Sequence, residues 1–381
     1  MGIGFAVLLL FAMTFGLAVL PLLPAIMEWR LPKDTSPLRV VRESEVDIRF
    51  LAHGFQAYVD SAFGALLADR RDPPRSLEDS LQDGTKYVVV GDGDLPLFSE
   101  AEQAGSVIDR LVLGRGDIRL PAGTTFLREI YAAGSVLGRE RSIYRAVLAK
   151  DSIALGRESR SLRWVHAENT ITAAEGCRLH GRVSADGLLV VHDGCGFERL
   201  HAPRIEFREL PGPLSSDTAE RDAPTVVLRA EDLANVIEEE AGRWLVEKAL
   251  DIPANVLVEA DLVVAGHCRI GKGAQLAGSI KSHGDLTLAD GVVIEGSAVA
   301  GLSLHIATGC RIHGPALAER EIFVGAGTVV GTELEPTSVS GNHLYIAPGA
   351  LVHGTVWAHV EGRVCQVDVT AFADSATGPL A

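Results

Sequence analysis

Any side-chain chemistry in this 381-residue chain must come from its histidines, its five cysteines and a few acids. His343, beside Asn342 in a four-residue interruption of a repeat, is placed to act as a loop-borne general base, though no partner carboxylate is evident near it in the sequence. His180, His313 and His353 share one offset within that repeat but sit in non-adjacent copies, so their common register reflects the repeat and not a metal cluster. Cys177 and Cys195 occupy the same repeat position in consecutive copies, which brings their Cα atoms within disulfide reach; in a reducing cytoplasm they are expected as thiols. No C-x-x-C pair exists, which argues against structural zinc. Gly91–Asp94, "GDGD", lacks the following acidic ligands of a calcium loop and reads as a turn. Asp290, Glu295 and Glu319 fall at different repeat positions and build no acidic face, and no nucleophile elbow, Walker loop or dinucleotide fingerprint is present. No catalytic, cofactor-binding or metal-binding set is assigned, and no cofactor is expected.

The elements that would carry these residues are set by an eighteen-residue period. Gly273, Gly291, Gly309 and Gly327 are evenly spaced, each with apolar residues at −5 and −3 and again at +3, and small or apolar residues at +7 and +9. Gly349 carries the pattern after the interruption; Gly176 and Gly194 carry it upstream, with looser copies at Gly123, Glu140 and Ser159. Alternation on either side of a glycine means short strands joined by tight corners. Coils of this length predict an all-β solenoid, a parallel β-helix whose like positions stack about 4.8 Å apart. Leu276, Ile294, Ile312, Val330 and Val352, beside Leu288, Ile306, Val324 and Ile346, are the expected inward ladders.

The 40 glycines suit the corners, and a net charge of −15 without a basic stripe argues against nucleic acid as a partner. Residues 1–27 contain no charged side chain, and the run from Ile3 to Met27 is long enough to cross a bilayer core as a helix, with Pro21 and Pro24 kinking its end. A signal peptide is the competing reading, but no basic leader or small-x-small cleavage site accompanies the run. Arg30, Lys33, Arg39 and Arg42 follow it and place the body in the cytoplasm, at the inner membrane. Residues 28–110 then read as a juxtamembrane amphipathic helix over 43–70 and a small α/β cap with a strand at "KYVVV". The solenoid is expected over 111–207 and 251–365, interrupted at 208–250 by a polar loop and an amphipathic helix over "RAEDLANVIEEEAGRWLVEKAL", with a flexible tail at 366–381.

The run Gly-x-x-apolar-x-Gly-x-apolar-x-Ala, as in "GCRIHGPALA", "GVVIEGSAVA", "GALVHGTVWA" and "GCRLHGRVSA", resembles the bactofilins, polymer-forming bacterial cytoskeletal proteins. The resemblance covers about 255–365 well and 111–207 more loosely. It implies a right-handed, three-sided β-helix that self-associates through its ends, works at the membrane, and scaffolds cell-shape or envelope-biogenesis proteins. The membrane span, the cap and the mid-solenoid interruption depart from that pattern, and a cap would block one end. Two rivals remain. A trimeric hexapeptide-repeat acyltransferase is one, since Leu288, Ile294, Ala300, Ile306, Ile312 and Ala318 fall six apart. A carbohydrate-acting β-helix protein is the other.

Overall fold

The computed structural model describes residues 47–68, 77–82, 84–95, 107–209, 226–233, 236–240 and 242–367, with Leu10, Met13 and Thr14 besides. The chain divides after Asp47, and everything below belongs to the unit from Ile48 onward. The span expected over 1–27 and the tail beyond residue 367 lie outside the described residues. Among the described residues, no helix is long and apolar enough to cross a membrane.

Short strands wind into a three-sided β-solenoid, as the period predicts. On its first face the strands Lys86–Val90, Leu111–Gly114, Thr125–Ala132, Ile143–Ala149, Arg160–Ala167, Arg178–Ala185 and Gly196–Arg208 stack in parallel. A second parallel stack runs Arg243–Val246, Asp261–Val264, Ile280–Ser282, Ala298–Ala300, Ala316–Ala318, Thr337–Ile346 and Leu351–Val364. The two do not continue head to tail. Strand Gly196–Arg208 meets strand Leu351–Val364 antiparallel, with Gly196 opposite Arg363, Leu200 opposite Val356 and Ile205 opposite Val352. Two half-solenoids thus join last coil to last coil, where the sequence pattern predicts one solenoid with an insertion. On the third face the halves contribute six and seven rungs.

The core is a continuous apolar column, because alternation points every second residue inward. Both expected ladders are buried, from Leu276 at 2% exposure to Ile306 and Ile346 at 0%. In the first half Val112, Ile130, Val147, Val165, Val183 and Leu200 form the equivalent column, and Val356 takes it up across the antiparallel junction. Corners need one residue with positive φ per coil. Gly273, Gly291, Gly309 and Gly327 supply it at 67 to 71°, where a Cβ would be strained. In two first-half coils the corner falls on Arg141 and Glu158, one residue away from the Glu140 and Ser159 that the repeat spacing points to.

The flanking segments depart further from expectation. Coil formation begins at Lys86–Val90, before residue 111, so the region read as a cap already belongs to the solenoid. Where an amphipathic helix is expected over 229–250, the described residues form a short 3-10 turn at Ala230–Asp232 and strands Val236–Glu240, Arg243–Val246 and Leu250–Ile252. The acids mimic a helix start, but β-branched Val236 and Ile237 favour an extended chain, and Gly242 at φ 93 closes a tight hairpin. The helix expected over 43–70 spans Phe50–Ala68 and is labelled α1. It buries Ala52, Val59 and Phe63 against outward-facing Tyr87, Leu113, Tyr131, Leu148 and Trp164. At 19 residues it is about 28 Å long, enough to cover the five coils that supply those residues at about 4.8 Å each. Phe63 meets Tyr87 at 5.0 Å and Phe55 meets Trp164 at 5.5 Å, so α1 runs against the direction of coil growth.

Candidate functional site

What distinguishes this solenoid is the treatment of its edges. The last coil of a parallel stack presents unpaired backbone N–H and C=O groups, a template for another chain. Here each half satisfies the other. Gly194 N donates to Val364 O at 3.0 Å, Val364 N to Cys195 O at 2.9 Å, Phe207 N to Ala350 O at 3.1 Å and Gly349 N to Phe207 O at 2.6 Å. Side chains lock the seam from outside: the Arg199 guanidinium lies 4.5 Å from the centre of the Trp357 ring, and His201 Nδ1 meets Thr355 Oγ1 at 2.9 Å. His353 donates through Nδ1 to Pro203 O at 2.9 Å, which fixes its tautomer.

The two outer ends are therefore both first coils. Each carries an antiparallel strand from its own half on the first face: Leu77–Ser80 pairs with Lys86–Val90, and Val236–Glu240 pairs with Arg243–Val246. The same device at both ends leaves a rod in which the first face is closed by hairpins and the middle is closed by the seam.

The residues singled out for chemistry are taken up by this architecture. His343 lies in strand Thr337–Ile346, not on a loop; the extra residues sit at the preceding corner, where Glu335 N donates to Thr332 Oγ1 at 3.0 Å and Leu334 is 94% exposed. The register sets His343 between Glu321 and Glu361 on neighbouring rungs, carboxylates that sequence spacing did not reveal. Of the three histidines in common register, His180 meets Glu198 at 3.0 Å and His313 meets Glu295 at 2.6 Å, both on the surface. His353, at the same offset, is instead buried at the seam. Gly93–Asp94, expected within a turn, forms a short strand paired with Ile118–Arg119; Asp92 just before it accepts from Asp117 N at 2.9 Å, and Asp290 accepts from Thr308 N at 3.2 Å. Such corner acids staple one coil to the next. Among the described residues, no group of three or more His, Cys, Asp or Glu side chains is placed to hold a metal ion.

The five cysteines are free thiols, and three of them share a structural task. At the position after the positive-φ residue, Cys177 Sγ donates to Gly156 O at 3.2 Å, Cys195 Sγ to Ala174 O at 3.1 Å and Cys310 Sγ to Ala289 O at 3.2 Å. Thr328 Oγ1 does the same to Ala307 O at 2.9 Å. Each partner carbonyl lies 21 residues back, at the previous corner, so thiol and hydroxyl are interchangeable caps. The neighbouring Cys177 thiol and burial raise the Cys195 thiol well above its usual range, and burial pushes Cys268 up to about 12. Groups held protonated in this way are poor nucleophiles. Burial also lowers His166, whose Nδ1 lies 2.9 Å from Ser184 Oγ.

Compared with known protein families, curated proteins and solved structures, the chain matches none.

Proposed function

We propose that this chain is a membrane-anchored, bactofilin-like structural scaffold: a right-handed β-solenoid rod of defined length, tethered through residues 1–27 at the cytoplasmic face of the inner membrane. In this role it organises envelope-building or cell-shape proteins along its flanks. The observation that carries the reading is the antiparallel seam between Gly196–Arg208 and Leu351–Val364. A β-solenoid has few ways to use its ends: leave them open for another copy, or close them. This chain spends its two last coils on each other and lays its own strand across the first face of each first coil, which favours a discrete rod over an open-ended filament.

The test is electron microscopy with light scattering on the full chain in detergent. Thirteen rungs at about 4.8 Å each give a body roughly 60 Å long, and the expected result is single particles of that length at every concentration. Filaments lengthening with concentration would show that hairpin-covered ends still recruit copies, and a discrete trimer would point instead to the acyltransferase reading.

A further inference from the structure

Although the chain is acidic overall, with a net charge of −15, five of its arginines lie around one edge of the rod, between the third and first faces of the coils next to the seam. Arg160 stands opposite Arg178 on adjacent strands. Arg182 stands opposite Arg199, and Arg199 opposite Trp357. Arg163 occupies the corner between these rows. Arg160 and Arg163 are exposed, and Arg178 and Arg182 are half-buried. Among the described residues these four form no ion pair, whereas Arg128, Arg145, Arg157 and Arg204 on the same rod each hold a carboxylate.

The nearby acids are already engaged. Glu198 accepts from His180 and from Gly181 N at 2.8 Å. Glu361 is held by Arg363 at 2.8 Å, with Arg178 contributing more weakly to keeping its carboxyl below the usual range. Asp186 is paired with Arg49 at 3.1 Å. The glycine between Arg178 and Arg363, Gly196, leaves room for the Arg178 guanidinium, since a Cβ there would stand 2.6 Å from its Nη1. Large apolar side chains are interleaved: Leu162 at 48% exposure, Trp357 at 39% and Val360 at 59%. Unpaired arginines with exposed Trp, Leu and Val are the composition of a surface that meets phosphate headgroups and the acyl boundary beneath them.

The described unit begins at Ile48, and Arg49 is already fixed to Asp186, in the coil that carries Arg178 and Arg182.

We infer that this edge is a docking surface for an anionic membrane, so that the rod lies along the bilayer to which its N-terminus is anchored. The inference rests on the membrane-anchored reading above. Cytoplasmic leaflets carry anionic lipid, and each basic side chain at such a surface strengthens binding by roughly fivefold at moderate salt.

The test uses the intact chain with phosphatidylcholine vesicles, pure or containing phosphatidylglycerol, and reads phenylglyoxal modification of each arginine by mass spectrometry. Expected is a drop of about fivefold or more at Arg160, Arg163, Arg178 and Arg182 with anionic vesicles only, none at Arg311 on the other half, and loss of the protection near 1 M salt, where the screening length falls to about 3 Å. Equal modification with both vesicle types overturns the inference. Protection by single-stranded RNA and not by anionic vesicles overturns it in favour of a soluble polyanion. Retention of the chain by pure phosphatidylcholine vesicles through an alkaline wash is scored separately; its failure strikes the anchor and leaves the arginine readout standing.

Discussion

The Phe197 ring packs against Gly362 so closely that a Cβ on that glycine would stand 2.1 Å from ring carbon Cε2. The two residues face each other across the seam, and Phe197 is 2% exposed with Phe207 at 6.0 Å behind it, so the ring has nowhere to move. Gly362→Val should cost about 1–3 kcal/mol by overpacking. Coil stability in a solenoid is a sum of nearest-neighbour terms, so damage confined to the seam should split calorimetric unfolding into two transitions, one per half. Leu286→Ala, inside the second half, should lower stability without splitting. A single cooperative transition in Gly362→Val would show that the halves are coupled by something besides the seam.

Corner caps predict a reversal of the usual view of cysteine. Cys310 acts as a weak donor to Ala289 O, and a serine there can make the same bond. Cys310→Ser should change stability by less than about 0.5 kcal/mol, while Thr328→Val, which removes the 2.9 Å bond to Ala307 O and leaves a carbonyl unpaired, should cost about 1–3 kcal/mol. Denaturant midpoints of the two variants decide this; equal losses would mean that size, not hydrogen bonding, governs the position.

Two glycines of one coil separate backbone strain from crowding. Gly309 has φ 71 and open space where an alanine methyl would stand, so Gly309→Ala should cost only the left-handed penalty of about 1–2 kcal/mol. Gly314 has no such φ, but its Cβ would stand 2.7 Å from Gly296 O, a backbone atom that cannot swing aside. Gly314→Ala should therefore be the worse of the pair. Thermal midpoints in the opposite order would place the strain in the conformation and not in the stacking.

The period and the inward ladders are legible in the sequence because stacking forces Leu288, Ile306, Val324 and Ile346 into one register. The seam is not, because a repeat pattern reads the same whichever way the next half-solenoid points; only the long, uncut strands Gly196–Arg208 and Leu351–Val364 hint that both halves end alike. The loop position expected for His343 fails for a local reason. The gap between two repeats can be slid along the chain, and Pro336, at the true corner, is the turn signal that fixes it. The arginine edge is hidden in the sequence because its members are spread over about 40 residues of an acidic chain and converge only when coils stack.

Acid should weaken the contact between α1 and the solenoid. His166 is buried, edge-on to His53 at 5.8 Å, with Arg49 and Asp186 nearby and Ser184 at its Nδ1. Burial is the main cause that lowers its pKa from 6.5, so the unfolded chain takes up a proton first as pH falls. Stability is full above about pH 6.5 and drops from there down to the lower native value. His192 and His305, lowered by burial too, act in the same sense, whereas Glu361, lowered from 4.5 mainly by its bond to Arg363, matters only in more acid solution. Melting temperature should fall between about pH 7 and 5, and less steeply in His166→Gln; identical slopes would remove His166 from the account.

Phe63 is the anchor of α1 at the first coil: it is 2% exposed and meets Tyr87 at 5.0 Å. Phe63→Ala should cost about 3–5 kcal/mol locally. The loss falls on one element, because among the described residues the apolar cluster beneath α1 draws on first-half strands, with Tyr87, Leu113, Tyr131, Leu148 and Trp164. Hydrogen exchange should therefore accelerate across Phe50–Ala68 and the outer face of the first half, while amides of Leu286–Leu288 and Leu304–Ile306 keep their protection. If exchange rose equally in both halves, α1 would be part of one cooperative unit with the whole rod, and the assignment of its stabilising effect to the first half would have to be abandoned.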